Sequence, residues 1–151
     1  MTPIPLDRET VLRRMNGIQE ELRELEKLAR FSLKDFSEGV GYKLAQFHLH
    51  RALEGVFHIS THILSRIPGG QATEYKAIAR KLGEVGILDP QFANSTLTHM
   101  AGYRNRLVHF YAEVTSEELY NLLQNHLQDF EIFLKAIKPV LQNPQKYGIL
   151  G

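Results

Sequence analysis

The chain has 151 residues, 43% of them hydrophobic and 23% charged, with 18 basic against 17 acidic side chains and a net charge of +1. That balance describes a folded single domain, and it excludes both a disordered segment and a protein that coats nucleic acid by bulk charge. Cysteine is absent, which excludes disulfide frameworks, zinc ribbons, iron–sulfur clusters and thiol nucleophiles and fits a reducing cytoplasm.

No apolar run approaches the roughly 20 residues that span a bilayer, and Met1-Thr2-Pro3-Ile4-Pro5 has no signal-peptide core. The expectation is a soluble cytoplasmic protein without a membrane partner.

The predicted elements are all helical. From Asp7 to about Arg30 the residues Val11, Met15, Ile18, Leu22, Leu25 and Ala29 recur in steps of four and three, the seam of a helix packed along a partner. Asp7 is placed to cap it. A second helix is expected to begin between Ser32 and Ser37, with Ser32 and Asp35 as a capping-box-like pair, and to run to about Arg66. Gly39 and Gly41 can bend or delay its start, and Pro68-Gly69-Gly70 stops it.

A short helix is predicted from about Thr73 to Leu82, closed by Gly83. Asp89-Pro90 caps a fourth helix reaching about Phe110. Thr115 with Glu118 forms a capping box opening a last helix, which carries Leu119, Leu122, His126, Phe130, Phe133 and Ile137 and ends near Pro139. The sum is one all-α antiparallel bundle of four long helices and a short one, with its core over about 7–138 and an irregular tail over 142–151.

Seven histidines invite a metal site, and His58 and His62 share a helix face. The flanking residues lack both the metalloprotease pattern and paired Glu-x-x-His motifs, so no metal is assigned. His48, Arg51, His58 and His62 instead border the apolar arc of the second helix, as the polar edge of an interface or cleft. His50 and His126 have less around them.

The fourth helix is more informative. At about 100° per residue, Leu97, Met100, Leu107 and Val108 form its apolar stripe and Arg104 projects into the middle of it, a costly place for a charge without a partner or ligand. Asn105 and His109 fall about 100° and 140° from Arg104, and Tyr111 returns almost to its azimuth. An arginine, an amide, an imidazole and a phenol gathered there suit phosphate binding and proton transfer. A snorkelling arginine and a histidine near a helix carboxyl end also occur for stability alone.

The string Arg104-Asn105-Arg106-Leu107-Val108-His109-Phe110-Tyr111, preceded by Gly102-Tyr103, resembles the signature of HEPN-domain proteins: an arginine and a histidine with four to six residues between them, and a polar residue just after the arginine. The tyrosine two places beyond the histidine is similar to that of HepT-like toxins of prokaryotic toxin–antitoxin pairs. The likeness runs from the first helix to about Lys138, and helix order agrees.

That resemblance implies a HEPN-like bundle and a metal-independent endoribonuclease. It implies a homodimer in which the motifs of two subunits face one another, with no cofactor. His109 would be the acid–base group, Arg104 would hold the phosphate, and Asn105 would orient one or the other. Arg106, Arg51 and His48 are candidate RNA or cleft contacts. The products would be a 2′,3′-cyclic phosphate and a 5′-hydroxyl, chemistry that needs the 2′-hydroxyl of RNA. A nucleotidyltransferase antitoxin would silence the toxin by adenylylating Tyr111; a tyrosine stacked on the cleft wall is the structural alternative. A non-catalytic HEPN subunit partnering a nucleotidyltransferase is the second functional expectation. A nucleotide-binding module is a third, without a phosphate-cradling glycine loop behind it.

Overall fold

The computed structural model describes residues 4–109 and 114–150, and among them every regular element is helical. Helix α1 spans Arg8–Leu28; the Asp7 carboxylate accepts the Thr10 amide hydrogen at 3.1 Å and so satisfies one of the orphan donors of its first turn. Its buried seam is Val11, Met15, Ile18, Leu22, Leu25 and Leu28. Leu28 closes the seam in place of Ala29, which is only half-buried because the helix has ended.

The expected second helix is two helices, α2 (Leu33–Glu38) and α3 (Gly41–Ser65). Ser32 caps α2 through the Asp35 amide, as its sequence requires. The chain then breaks at Gly39, whose backbone is extended (φ −93°, ψ −156°). The break turns the buried Phe36 ring back onto Gly41, where a Cβ would lie 3.2 Å from it.

Helices α1 and α3 run antiparallel and form the most extensive pairing in the molecule: Asp7 meets His62, Ile18 meets Gly55 and Glu21 meets His48. A Cβ on Gly55 would sit 2.7 Å from Ile18 Cγ1, and Ile18 is itself only 1% exposed. Gly55 therefore sets how closely the two helices approach. Gly55→Ala is expected to cost about 1–3 kcal/mol by overpacking, read as a melting temperature lower by roughly 3–10 °C. An unchanged melting temperature would show that the α1–α3 contact yields freely.

After α3, Gly69 takes φ +76°, a left-handed conformation that glycine reaches without penalty. Helix α4 covers Tyr75–Glu84, later than the expected 73–82, and Gly83 lies inside it. The left-handed residue beyond its end is Gly86 (φ +81°). Gly83 is small for another reason: its Cβ would be 2.9 Å from that of Ala93.

The expected fourth helix is interrupted. Asp89 caps the short α5 (Pro90–Phe92) through the Phe92 amide at 3.2 Å. A π-helical turn, Ala93–Leu97, then leads into α6 (Thr98–Val108). The Thr98 hydroxyl donates to the Ala93 carbonyl five residues back, at 2.9 Å. The wider turn interrupts the helix before α6; Leu97, Met100 and Ala101 are buried, whereas Leu107 is half-buried and Val108 is 39% exposed. The expected end at Phe110 lies outside the described residues.

The last predicted helix is also divided, into α7 (Ser116–Asn125) and α8 (Gln128–Gln142). Thr115 accepts the Glu118 amide hydrogen at 3.2 Å, but Glu118 does not return the bond; its carboxylate turns to Arg106. A charge-assisted pair outcompetes the second half of the capping box. Pro139 lies within α8, which continues three residues past it. The tail is not wholly irregular: Pro144–Tyr147 form a 3₁₀ turn, Ile149 is buried, and the Leu150 carbonyl accepts the Leu6 amide hydrogen at 3.0 Å.

Candidate active site on helices α3, α4 and α6

Arg104 is half-buried, and its charge is compensated. Its Nε donates to Glu54 Oε1 at 2.7 Å, and its guanidinium carbon stands 4.0 Å over the Tyr75 ring. The Tyr75 hydroxyl donates to the same Glu54 oxygen at 3.3 Å. Arg104 Nη1 donates to Asn105 Oδ1 at 3.4 Å, so Asn105 orients the guanidinium from its own helix. Three elements thus hold one arginine: α3 through a carboxylate, α4 through an aromatic face, α6 through an amide. Its Nη2 makes no hydrogen bond among the described residues.

Glu54 is the residue that sequence reasoning missed. It is the single acidic residue of the 25-residue α3, with His50 and His58 four positions to either side. That isolation was the available signal. His50 Nε2 stands 3.9 Å from Oε1 and His58 Nε2 3.7 Å from Oε2, so His50 has more around it than its flanking residues suggest. Partial burial raises the Glu54 pKa, but the Arg104 hydrogen bond and charge, with the two histidines, outweigh it and hold the carboxyl below the usual glutamate value. Tyr75 is shifted the other way, upward, by burial and by the Glu54 charge.

His109 stands at the end of α6. Its amide donates to the Arg106 carbonyl at 3.3 Å, but its backbone is extended (φ −104°, ψ 103°). The helical azimuth expected for it therefore does not apply; the imidazole sits at an exposed helix exit rather than on a helix flank. Tyr111 lies outside the described residues.

The other candidate contacts divide. His48 Nδ1 and Arg51 Nε both engage the Glu21 carboxylate of α1, at 2.6 and 2.7 Å, and Arg51 also stands 5.4 Å over the Phe47 ring. Arg51 remains exposed, one turn of α3 before Glu54. Arg106 does not join the Arg104 cluster. It lies about 200° round α6 by helical arithmetic and grips Glu118 with both terminal nitrogens, Nη2 to Oε1 at 2.8 Å. Tyr103 donates to the same carboxylate at 3.1 Å. Arg106 is thus tied to α7 rather than presented to a ligand. The Glu118 carboxyl is held low by that guanidinium.

His58 and His62 do not form a metal pair. His62 Nε2 accepts the Asp7 amide hydrogen at 3.1 Å while His58 faces Glu54, and no group of three or more ligating side chains occurs among the described residues. No helix there is long and apolar enough to cross a membrane.

The sequence profile of the family described as ribonuclease HepT-like matches residues 18–137. A protein named tRNA nuclease HepT from Aphanizomenon flos-aquae is 28% identical over 130 residues, 85% of this chain and 87% of that protein. One named mRNA nuclease HepT from Shewanella oneidensis is 30% identical over 95 residues, 60% of this chain and 68% of that protein. Among solved structures, the tri-AMPylated HEPN toxin of Shewanella oneidensis in complex with its MNT antitoxin superposes with a TM-score of 0.78 at 21% identity, over 86% of this chain and 97% of that one. A toxin–antitoxin complex with AMP-PNP gives 0.76 at 21% identity, over 85% and 98%. The all-helical fold, the Arg104–His109 motif and the matched profile agree: the chain belongs to the HepT-like ribonuclease family.

Proposed function

We propose that this protein is the toxin of a cytoplasmic toxin–antitoxin pair and cleaves RNA without a metal ion. The observation that carries this is Arg104, seated on Tyr75 and Glu54 with no hydrogen bond from its Nη2 among the described residues, on the helix that ends at His109. The relatives named as tRNA and mRNA nucleases support RNA as the substrate class.

In this mechanism Arg104 holds the scissile phosphate and stabilises charge growing on its oxygens. An imidazole takes the proton of the ribose 2′-hydroxyl as that oxygen attacks phosphorus, and an imidazolium protonates the departing 5′-oxygen. The products are a 2′,3′-cyclic phosphate and a 5′-hydroxyl. One chain supplies one His109, and two acting together give both a base and an acid. A homodimer with the two motifs facing provides that pair. The α3 surface beside the site suits such an interface: Val40, Leu44 and Phe47 are 69%, 43% and 56% exposed and share one stripe leading to Arg51 and Glu54.

The antitoxin in this scheme is a nucleotidyltransferase. The Tyr111 phenol attacks the α-phosphate of ATP, pyrophosphate leaves, and the adenylate adds bulk and negative charge two residues from His109. A solved toxin described as tri-AMPylated in complex with its antitoxin supports this arrangement. Tyr111→Phe is expected to keep full nuclease activity and to escape silencing when incubated with the antitoxin and ATP. Equal silencing of Tyr111→Phe and wild type would remove the tyrosine from the scheme.

The deciding experiment is RNA cleavage in EDTA by wild type, Arg104→Ala and His109→Ala. Identical, negligible cleavage by all three would leave the non-catalytic binding subunit as the function.

A further inference from the structure

A groove of about 620 Å³, lined mostly by polar residues, opens along the outer face of α3 between α1 and α4. Eleven residues line it and none is acidic, although the chain carries 17 acidic side chains. Its charge comes from Arg14 of α1 and from Arg66 just past α3, neither of which forms an ion pair among the described residues. Arg14 is exposed and makes no hydrogen bond there; Arg66 is braced by the Ser65 hydroxyl at 2.7 Å and the Pro5 carbonyl at 3.2 Å. Asp7, whose amide binds His62, turns its carboxylate back onto the Thr10 hydroxyl and amide. Hydroxyl donors such as Thr61 complete the lining. Because the His62 Nε2 is an acceptor, Nδ1 carries the proton, and burial together with Arg66 keeps this imidazole neutral more readily than usual.

Two residues belong to both this groove and the arginine clamp. Tyr75 lies under Arg104, and His58 faces Glu54. The groove therefore continues from the place where Arg104 would hold a phosphate, over the twelve residues of α3 from Glu54 to Ser65, about 16 Å of helix.

We infer that this groove is a phosphodiester-tracking subsite that binds the RNA strand flanking the cleaved bond, through Arg14 and Arg66 with hydroxyls between them. This inference rests on the ribonuclease reading for the direction of the strand. Cationic side chains and hydroxyls without carboxylates are what a backbone contact requires, and they carry no base specificity. The subsite thus adds affinity for long RNA without selecting its sequence.

The test separates the subsite from catalysis. Single-stranded RNA carrying 2′-O-methyl groups lacks the nucleophile, so fluorescence anisotropy in EDTA measures its binding whether or not the protein cleaves. Arg14→Glu and Thr61→Glu, both at exposed positions, are expected to weaken binding about tenfold or more, and Arg14→Glu to reduce the salt slope by roughly one. Arg23→Glu is the control; Arg23 is exposed and lies about 180° from Arg14 on α1, and its affinity is expected to match wild type. Cleavage of a dinucleotide, too short to reach the groove, is expected to be unchanged in all three. Wild-type affinity in Arg14→Glu and Thr61→Glu, equal weakening by Arg23→Glu, or no RNA binding by wild type would each overturn the subsite. So would variants that keep RNA affinity but lose co-purification with the nucleotidyltransferase, which would assign the groove to that protein. A wild type that binds through the groove yet cleaves nothing would refute the nuclease and leave the subsite standing.

Discussion

His109→Ala is expected to lower RNA cleavage in EDTA by about 100- to 10,000-fold, the usual worth of a general acid–base group, with thermal stability unchanged. The stability half follows from position. His109 is exposed, on extended backbone just past α6, outside the hydrophobic core. The activity half follows from the proposed reaction, in which His109 moves the proton while His50 and His58 face the Glu54 carboxylate. If each protomer contributes one imidazole to a shared cleft, kcat/KM should be bell-shaped in pH, and its two limbs belong to the pair rather than to either histidine. Mixing His109→Ala with Arg104→Ala protomers adds a sharper readout. Heterodimers that regain part of the activity lost by both parents would place the two motifs in one composite site. A His109→Ala protein that cleaves at the wild-type rate would remove the imidazole from the chemistry.

The parts of this site that were legible in the sequence are those encoded within one or two helical turns. Asp7, Ser32, Asp89 and Thr115 all cap the helices they precede, because a side chain reaching an amide three residues on is a local event. The Arg104–His109 string was visible for the same reason. What the sequence hid is tertiary. Glu54 is 50 positions from Arg104 and becomes its partner only when α3 and α6 pack. Arg106, two residues from Arg104, looked equally available for RNA until α7 brought Glu118 to it. Of the helix interruptions, the π turn at Ala93–Leu97 was hidden because no glycine or proline marks it, whereas Gly39 was legible as a bend and becomes a full break where Phe36 gains a buried seat.

Arg104→Ala is expected to lower kcat by about 100- to 1,000-fold, the scale of a lost donor to a developing oxyanion, and the same clamp assigns Glu54 a distinct effect. Arg104→Lys should recover little, since an ammonium cannot give Nε to Glu54 while offering a second nitrogen to phosphate. Glu54 touches no substrate in this mechanism; it is a positioning residue whose carboxylate both aims Arg104 and offsets its charge. Glu54→Ala therefore pulls the kinetic constants in the same downward direction: kcat falls because the guanidinium is no longer aimed, and KM falls because an uncompensated arginine attracts phosphate more strongly. Glu54→Gln keeps an acceptor oxygen for Arg104 Nε and Tyr75, and should return kcat to within roughly tenfold of wild type while KM stays low. A merely structural glutamate would lower activity through unfolding, without the fall in KM. The acid limb of stability supplies an independent check. The folded Glu54 carboxyl is held below its ordinary value, so its contribution is present above the unfolded pKa and is lost as pH falls through the folded one. The urea midpoint of wild type should therefore exceed that of Glu54→Gln at neutral pH, and the gap should close as the pH is lowered through the carboxylate range. A gap that is constant with pH would mean that Glu54 is not the charge that holds Arg104 in place.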